Sequence, residues 1–165
     1  MSNLFRAYDA QAKGFNLVNA GSAAELDASI VRAHTNSQGW LGYYWAPTAM
    51  LGRYEMVRLQ MGDHDKQHWD SCTVIADCAE PVVNAWPTSR VFTVFTDGFA
   101  QRAEVAVDYV SKRQWRNVTL NSLLAWMADN QATGDEAAHH FLENYEDIWS
   151  SWVSADVLLR VKAAL

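Results

Sequence analysis

Val91-Phe-Thr-Val-Phe95 constrains the fold more than any other stretch of the sequence: every residue in it favours extended chain, none is charged, and Thr96, a good helix cap, follows at once. The spacing predicts a strand over 91–95 that feeds a helix with an inner face of Phe99, Ala103, Ala106 and Val110. The same alternation is read earlier in the chain. Ser22-Ala-Ala-Glu25 has the form of a capping box, and Ala23, Leu26, Ile30 and Ala33 recur at helical spacing, which predicts a helix over 22–35. Phe15-Asn-Leu-Val-Asn19 precedes that helix and Trp40-Leu-Gly-Tyr-Tyr-Trp45 follows it; both read as strands. Pro47 closes the second, having no N–H to give to a ladder. A third strand is expected over 54–61, where Val57, Leu59 and Met61 alternate with Arg58 and Gln60. Residues 62–90 read as mostly irregular, with a short apolar piece at 73–76, and as the place for a lobe boundary or hinge.

Beyond residue 96 the pattern is helical. Leu120, Leu123, Leu124 and Met127 form one face, and Thr133-Gly-Asp-Glu136 is a second capping box. Ala138, Phe141, Leu142, Tyr145, Ile148, Trp149 and Trp152 continue a stripe, and a last helix carries Val157, Val161 and Ala164. Strands alternating with helices, then a helical tail, predict an α/β fold with C-terminal helices packed on the sheet or reaching to another lobe. No internal repeat is seen. At 165 residues, half of them hydrophobic, the chain is expected to form one domain, 1–165.

A net charge of −6 argues against nucleic acid as a partner, because affinity for phosphate backbones comes mainly from Lys and Arg. No apolar run approaches the ~20 residues needed to cross a bilayer. Residues 1–9 lack the basic start and apolar middle of a signal peptide, so the chain is expected to be cytoplasmic if expressed as written. Cys72 and Cys78 match no common zinc spacing and suit either a disulfide across a short loop or two free thiols. Asp63-His64-Asp65 and His68 read as an exposed polar loop rather than a metal site, and His139-His140 as surface residues of a helix. No phosphate loop, G-x-S-x-G or H-E-x-x-H sequence occurs, so neither catalytic residues nor a cofactor is expected.

The remaining chemistry is aromatic. Eight Trp are present, and Trp40-Leu-Gly-Tyr-Tyr-Trp-Ala-Pro-Thr48 gathers four aromatic rings at a predicted strand end, where α/β folds place ligand sites. Strand alternation puts Tyr43 and Trp45 on one face and Trp40 and Tyr44 on the other. Such rings suit a core, and they also suit a cage for a quaternary ammonium group, which the negative face of an aromatic ring attracts.

Tyr43-Tyr44-Trp45-Ala46-Pro47-Thr48 resembles the Trp-x-Pro motif of glycine betaine and choline binding proteins of ABC importers. Leu51-Gly-Arg-Tyr54, Val57-Arg-Leu59, Cys78-Ala-Glu-Pro81, the 91–95 segment with its helix, and Trp149-Ser-Ser-Trp-Val153 are similar to that family in order and spacing, from about residue 12 to the end. The resemblance implies one lobe of a type II periplasmic-binding-protein-like fold, the second lobe plus the segment returning to the first, incomplete relative to the family. It implies a quaternary amine ligand such as glycine betaine, choline or a relative, an ABC permease as partner, osmoprotective transport, and an extracytoplasmic location. Trp45 falls on a cage position, with Tyr43, Tyr44 and Trp40 as its neighbours. Export would allow Cys72 and Cys78 to pair. The alternative reading is a truncated or repurposed lobe acting as a dimeric interaction protein. A homodimer is expected in either case, through the stripe of Phe141, Tyr145, Trp149 and Trp152, which a separated lobe would leave bare.

Overall fold

The helix starts set the frame. In a computed structural model describing residues 1–165, Ser22, Thr96 and Thr133 each accept a hydrogen bond from the backbone N–H three residues on, at 3.1, 3.2 and 3.3 Å, and each begins a helix as its sequence predicts. Thr133 and Glu136 form a complete capping box. At Ser22 the returning arm lands one residue early, because the Glu25 carboxylate accepts from the Gly21 N–H at 2.6 Å.

The α/β expectation is overturned. Helices account for 53% of the chain and no residue lies in a strand. Period-2 alternation tells which side chains would share a face, but a strand exists only where neighbouring backbone groups complete a ladder. The stretches 15–19, 40–45, 56–61 and 91–95 are irregular, and several of their apolar side chains face solvent: Val57 is 83% exposed, Val91 96% and Val94 87%. Between residues 56–64 and 82–90, backbone pairing goes no further than the Ala85 N–H donating to the Asp63 carbonyl at 3.3 Å.

The chain is organised as two units. The first takes residues 1–44 and 56–90, including the whole irregular stretch expected to hold a hinge. It contains α1 (Ser2–Ala7), α2 (Ala23–Thr35) and further helices described below with the site. Cys72 and Cys78 are joined in a disulfide. The buried Asn3 of α1 donates to the carbonyls of Cys72, Thr73 and Ile75 at 3.1, 3.1 and 2.7 Å, and Arg6 donates to the Cys78 carbonyl, so α1 is fastened to the disulfide loop.

The second unit takes residues 45–55 and 91–165. Here α3 (Ala49–Arg53) lies against α7 (Asn117–Asn130). Gly52 makes that approach possible, since a Cβ there would stand 2.1 Å from the Asn121 carbonyl oxygen. The Thr48 N–H donates to Asn121 Oδ1 at 2.8 Å, and Arg53 Nε to Asp129 Oδ1 at 2.7 Å. The helix expected beyond Thr96 is broken at Ala103 into α5 (Asp97–Arg102) and α6 (Glu104–Lys112). After α8 (Gly134–Asn144), a turn at Tyr145 leads to α9 (Glu146–Trp149), a 3-10 turn over Ser150–Trp152, and α10 (Ala155–Lys162).

The C-terminal stripe is not bare. Phe141, Trp149 and Trp152 are the buried centre of this unit, packed by Tyr109, Leu123, Tyr145, Leu158 and Val161. The Trp149 indole N–H donates to the Leu142 carbonyl at 2.9 Å, which satisfies its only polar atom. No helix is long and apolar enough to cross a membrane.

Candidate functional site

Trp40 and Tyr44 share one side, as strand alternation predicts, and Tyr43 takes another, although no ladder forms. Trp40 and Tyr44 turn to α2. The Trp40 indole N–H donates to Ser29 Oγ at 2.9 Å, the Tyr44 hydroxyl donates to Asp27 Oδ1 at 2.5 Å, and the two rings meet edge-on at 6.4 Å. Gly42 lets the Trp40 ring fold back, since a Cβ there would lie 2.6 Å from it. Both rings therefore tie this segment to a helix through their polar tips.

Tyr43 turns elsewhere. Its ring packs on Trp86 with centroids 4.4 Å apart and planes tilted by 31°. Trp86 meets Trp69 edge-on at 4.9 Å, and Trp69 meets the His64 ring at 5.4 Å. Four rings from three stretches of sequence thus form one continuous cluster in the first unit, with Trp86 and Trp69 at its middle. Trp86 and Tyr43 are partly exposed, at 38% and 37%. Trp45 belongs to the second unit and is 44% exposed.

The local sequence explains how Trp69 arrives there. Asp65 accepts from the His68 N–H at 2.9 Å and so caps α4 (Lys66–His68), which runs directly into a π-helical turn over Trp69–Thr73. The wider turn is closed by the Val74 N–H on the Trp69 carbonyl at 3.2 Å, and it ends beside the disulfide. Turns of this kind occur often at functional sites, because one extra residue per turn re-aims a side chain. On the facing segment, His64 Nδ1 donates to the Ala85 carbonyl at 2.8 Å, and the Val82 N–H donates to His68 Nε2 at 3.4 Å. Both histidines are engaged in holding 63–68 to 82–86.

Such a cluster carries no nucleophile paired with a base. What it offers is π-faces, which attract a cation lying within about 6 Å of a ring centroid. The model of one family, the substrate binding domain of the ABC-type glycine betaine transport system, matches residues 1–144. The chain belongs to that family. Its members serve transport rather than catalysis: they are extracytoplasmic proteins that bind a small ligand and work with an ABC permease. The match starts at residue 1, earlier than the likeness read from the sequence, and stops at residue 144, short of the Trp149–Val153 piece of that likeness; it includes every ring of the cluster. No curated protein matches the chain.

Sequence reasoning chose Tyr43 and its neighbours and missed Trp69 and Trp86. A signal was there: Trp86-Pro87 repeats the pairing of an aromatic with a nearby proline that drew attention to Trp45-Ala-Pro47.

Proposed function

We propose that the chain binds the ammonium head of a small quaternary amine, glycine betaine, choline or a relative, on the Tyr43–Trp86–Trp69 cluster. The observation that carries this is the packing of Trp86 between two further rings, at 4.4 and 4.9 Å, in a member of a glycine betaine transport family. Each ring that a desolvated cation meets contributes about 0.5–2 kcal/mol. The net charge of −6 favours a cation such as choline over an anion and is neutral toward glycine betaine, a zwitterion. Trp40 and Tyr44 support the cluster indirectly in this reading, by fixing the segment that presents Tyr43. Trp45, in the second unit, is not one of the rings of this cluster. No chemical step is involved, and an ABC permease receives the ligand.

The test compares choline with its uncharged isostere 3,3-dimethylbutan-1-ol by titration calorimetry. Choline should bind at least about tenfold tighter, since the two share shape and apolar area and differ in the charge that the rings read. Equal affinities would show that any binding is merely apolar.

A homodimer is the second reading, and the surface favours it. The chain exposes 12191 Å². Two separate compact bodies sharing its 18.6 kDa would expose only about 10,000 Å². Val91, Val94, Val105 and Leu159 in the second unit are all more than half exposed. Because Phe141, Trp149 and Trp152 are core, such a dimer uses the exposed Val91, Val94, Val105 and Leu159 instead. Light scattering at micromolar concentration should give twice the chain mass; a monomer mass at every concentration would end this reading.

A further inference from the structure

We infer that Asn84 is the positioning residue of the aromatic site, holding Trp69 and Trp86 in register through its buried carboxamide; as a statement about ligand binding, this rests on the function proposed above. Asn84 has no exposed surface, and no buried side-chain polar atom lacks a partner. A carboxamide taken wholly out of water is tolerated only when its hydrogen bonds are made. Those bonds lead to the site. Asn84 Oδ1 accepts from the Asp65 N–H at 3.0 Å, while Nδ2 donates to the Asp65 carbonyl at 2.9 Å and to Thr73 Oγ1 at 3.4 Å.

The two bonds to Asp65 imitate the paired bonds of an antiparallel ladder and fix residue 65 in both position and rotation. Asp65 caps α4, Trp69 follows that helix, and Thr73 ends the π turn that Trp69 begins. One side chain therefore grips both ends of the segment that carries Trp69. On its own side, Ala85 is bonded through its N–H to Asp63 and through its carbonyl to His64, and Trp86 comes next. The two indoles, on segments with no strand ladder between them, are related through residue 84. Only a carboxamide fits. Alanine would leave the Asp65 N–H and carbonyl unpaired, and aspartate would keep the acceptor but lose the donor.

The experiment uses the full chain with Asn84→Ala and Asn84→Asp. Closely packed indoles give a coupled circular-dichroism band that needs no ligand, and Trp69→Phe identifies it. Well below the melting temperature, with the helical signal intact, Asn84→Ala should lose most of this band, and its choline affinity should fall about tenfold, roughly one ring contact. Asn84→Asp should lie between Asn84→Ala and the wild type on both measures. A residue that only stabilised the fold would lower the melting temperature and leave the band and the affinity of the folded protein unchanged; that result overturns the inference. Should Asn84→Ala fail to fold, an unchanged band in Asn84→Asp overturns it equally. A wild type that binds no choline defeats the ligand reading alone, and the band still decides whether Asn84 positions the rings.

Discussion

Gly52→Ala should destabilise the second unit by more than an alanine inside a helix normally gains. On propensity alone the substitution favours a helix by about 1 kcal/mol. At this position, however, the new Cβ would stand 2.1 Å from the Asn121 carbonyl oxygen, 2.6 Å from its carbon and 2.8 Å from Ala125 Cβ. None of these atoms can swing aside by changing a rotamer. Because carbon and oxygen do not approach much closer than ~3.3 Å, α3 must retreat from α7 by roughly 1 Å. The retreat strains the Thr48 to Asn121 bond and the Arg53 to Asp129 pair. Overpacking costs ~1–3 kcal/mol and a weakened hydrogen bond about 1 more, so the net loss is about 2 kcal/mol after the propensity gain. For a body of this size that lowers Tm by about 10 °C, read by circular dichroism at 222 nm. An unchanged or raised Tm would mean that α3 does not lie against α7 as described.

Reducing the disulfide, or Cys72→Ser with Cys78→Ser, should cost about 2 kcal/mol, the chain entropy of so short a loop; a mass shift of two protons on reduction with no change in melting would refute this. Trp45→Ala, in the second unit, should leave choline affinity and the helical signal as in the wild type; a clear loss of affinity would contradict the assignment of the ammonium head to the Tyr43–Trp86–Trp69 cluster. The Thr133 N–H and hydroxyl hold the Glu136 carboxylate below its ordinary range. A depressed acid stabilises the fold above its unfolded value and loses that contribution as pH falls through the lower, folded one, so melting curves of wild type and Glu136→Gln should differ near neutrality and converge in acid. Curves separated by the same interval at every pH would contradict that assignment.

The parts of the fold legible in the sequence were those decided within a few residues. Ser22, Thr96 and Thr133 could be read as caps because the acceptor and its N–H lie three positions apart. The break at Ala103 carries no Gly or Pro to announce it. The strands failed for a different reason. Val91-Phe-Thr-Val-Phe95 has every local preference for a sheet, but a ladder is a relation between segments, and the preference of one cannot supply the other. The site shows the same limit. Tyr43 stood out because it is adjacent to other aromatics, whereas Trp69 and Trp86 reach it only through the capped turn at Asp65 and the buried Asn84. His64 was read as a loop residue; it is exposed, and its ring also abuts Trp69.

The measurement that bears most directly on the central claim is the affinity of Trp86→Ala for choline and glycine betaine, followed by calorimetry beside the wild type. Trp86 joins Tyr43 to Trp69, so its loss removes one ring and separates Tyr43 from Trp69. Two ring contacts at about 1 kcal/mol each correspond to a roughly thirtyfold weaker Kd. Such a fall, in a protein whose helical signal is unchanged, is the predicted result. Wild-type affinity in Trp86→Ala would place the quaternary amine somewhere other than this cluster.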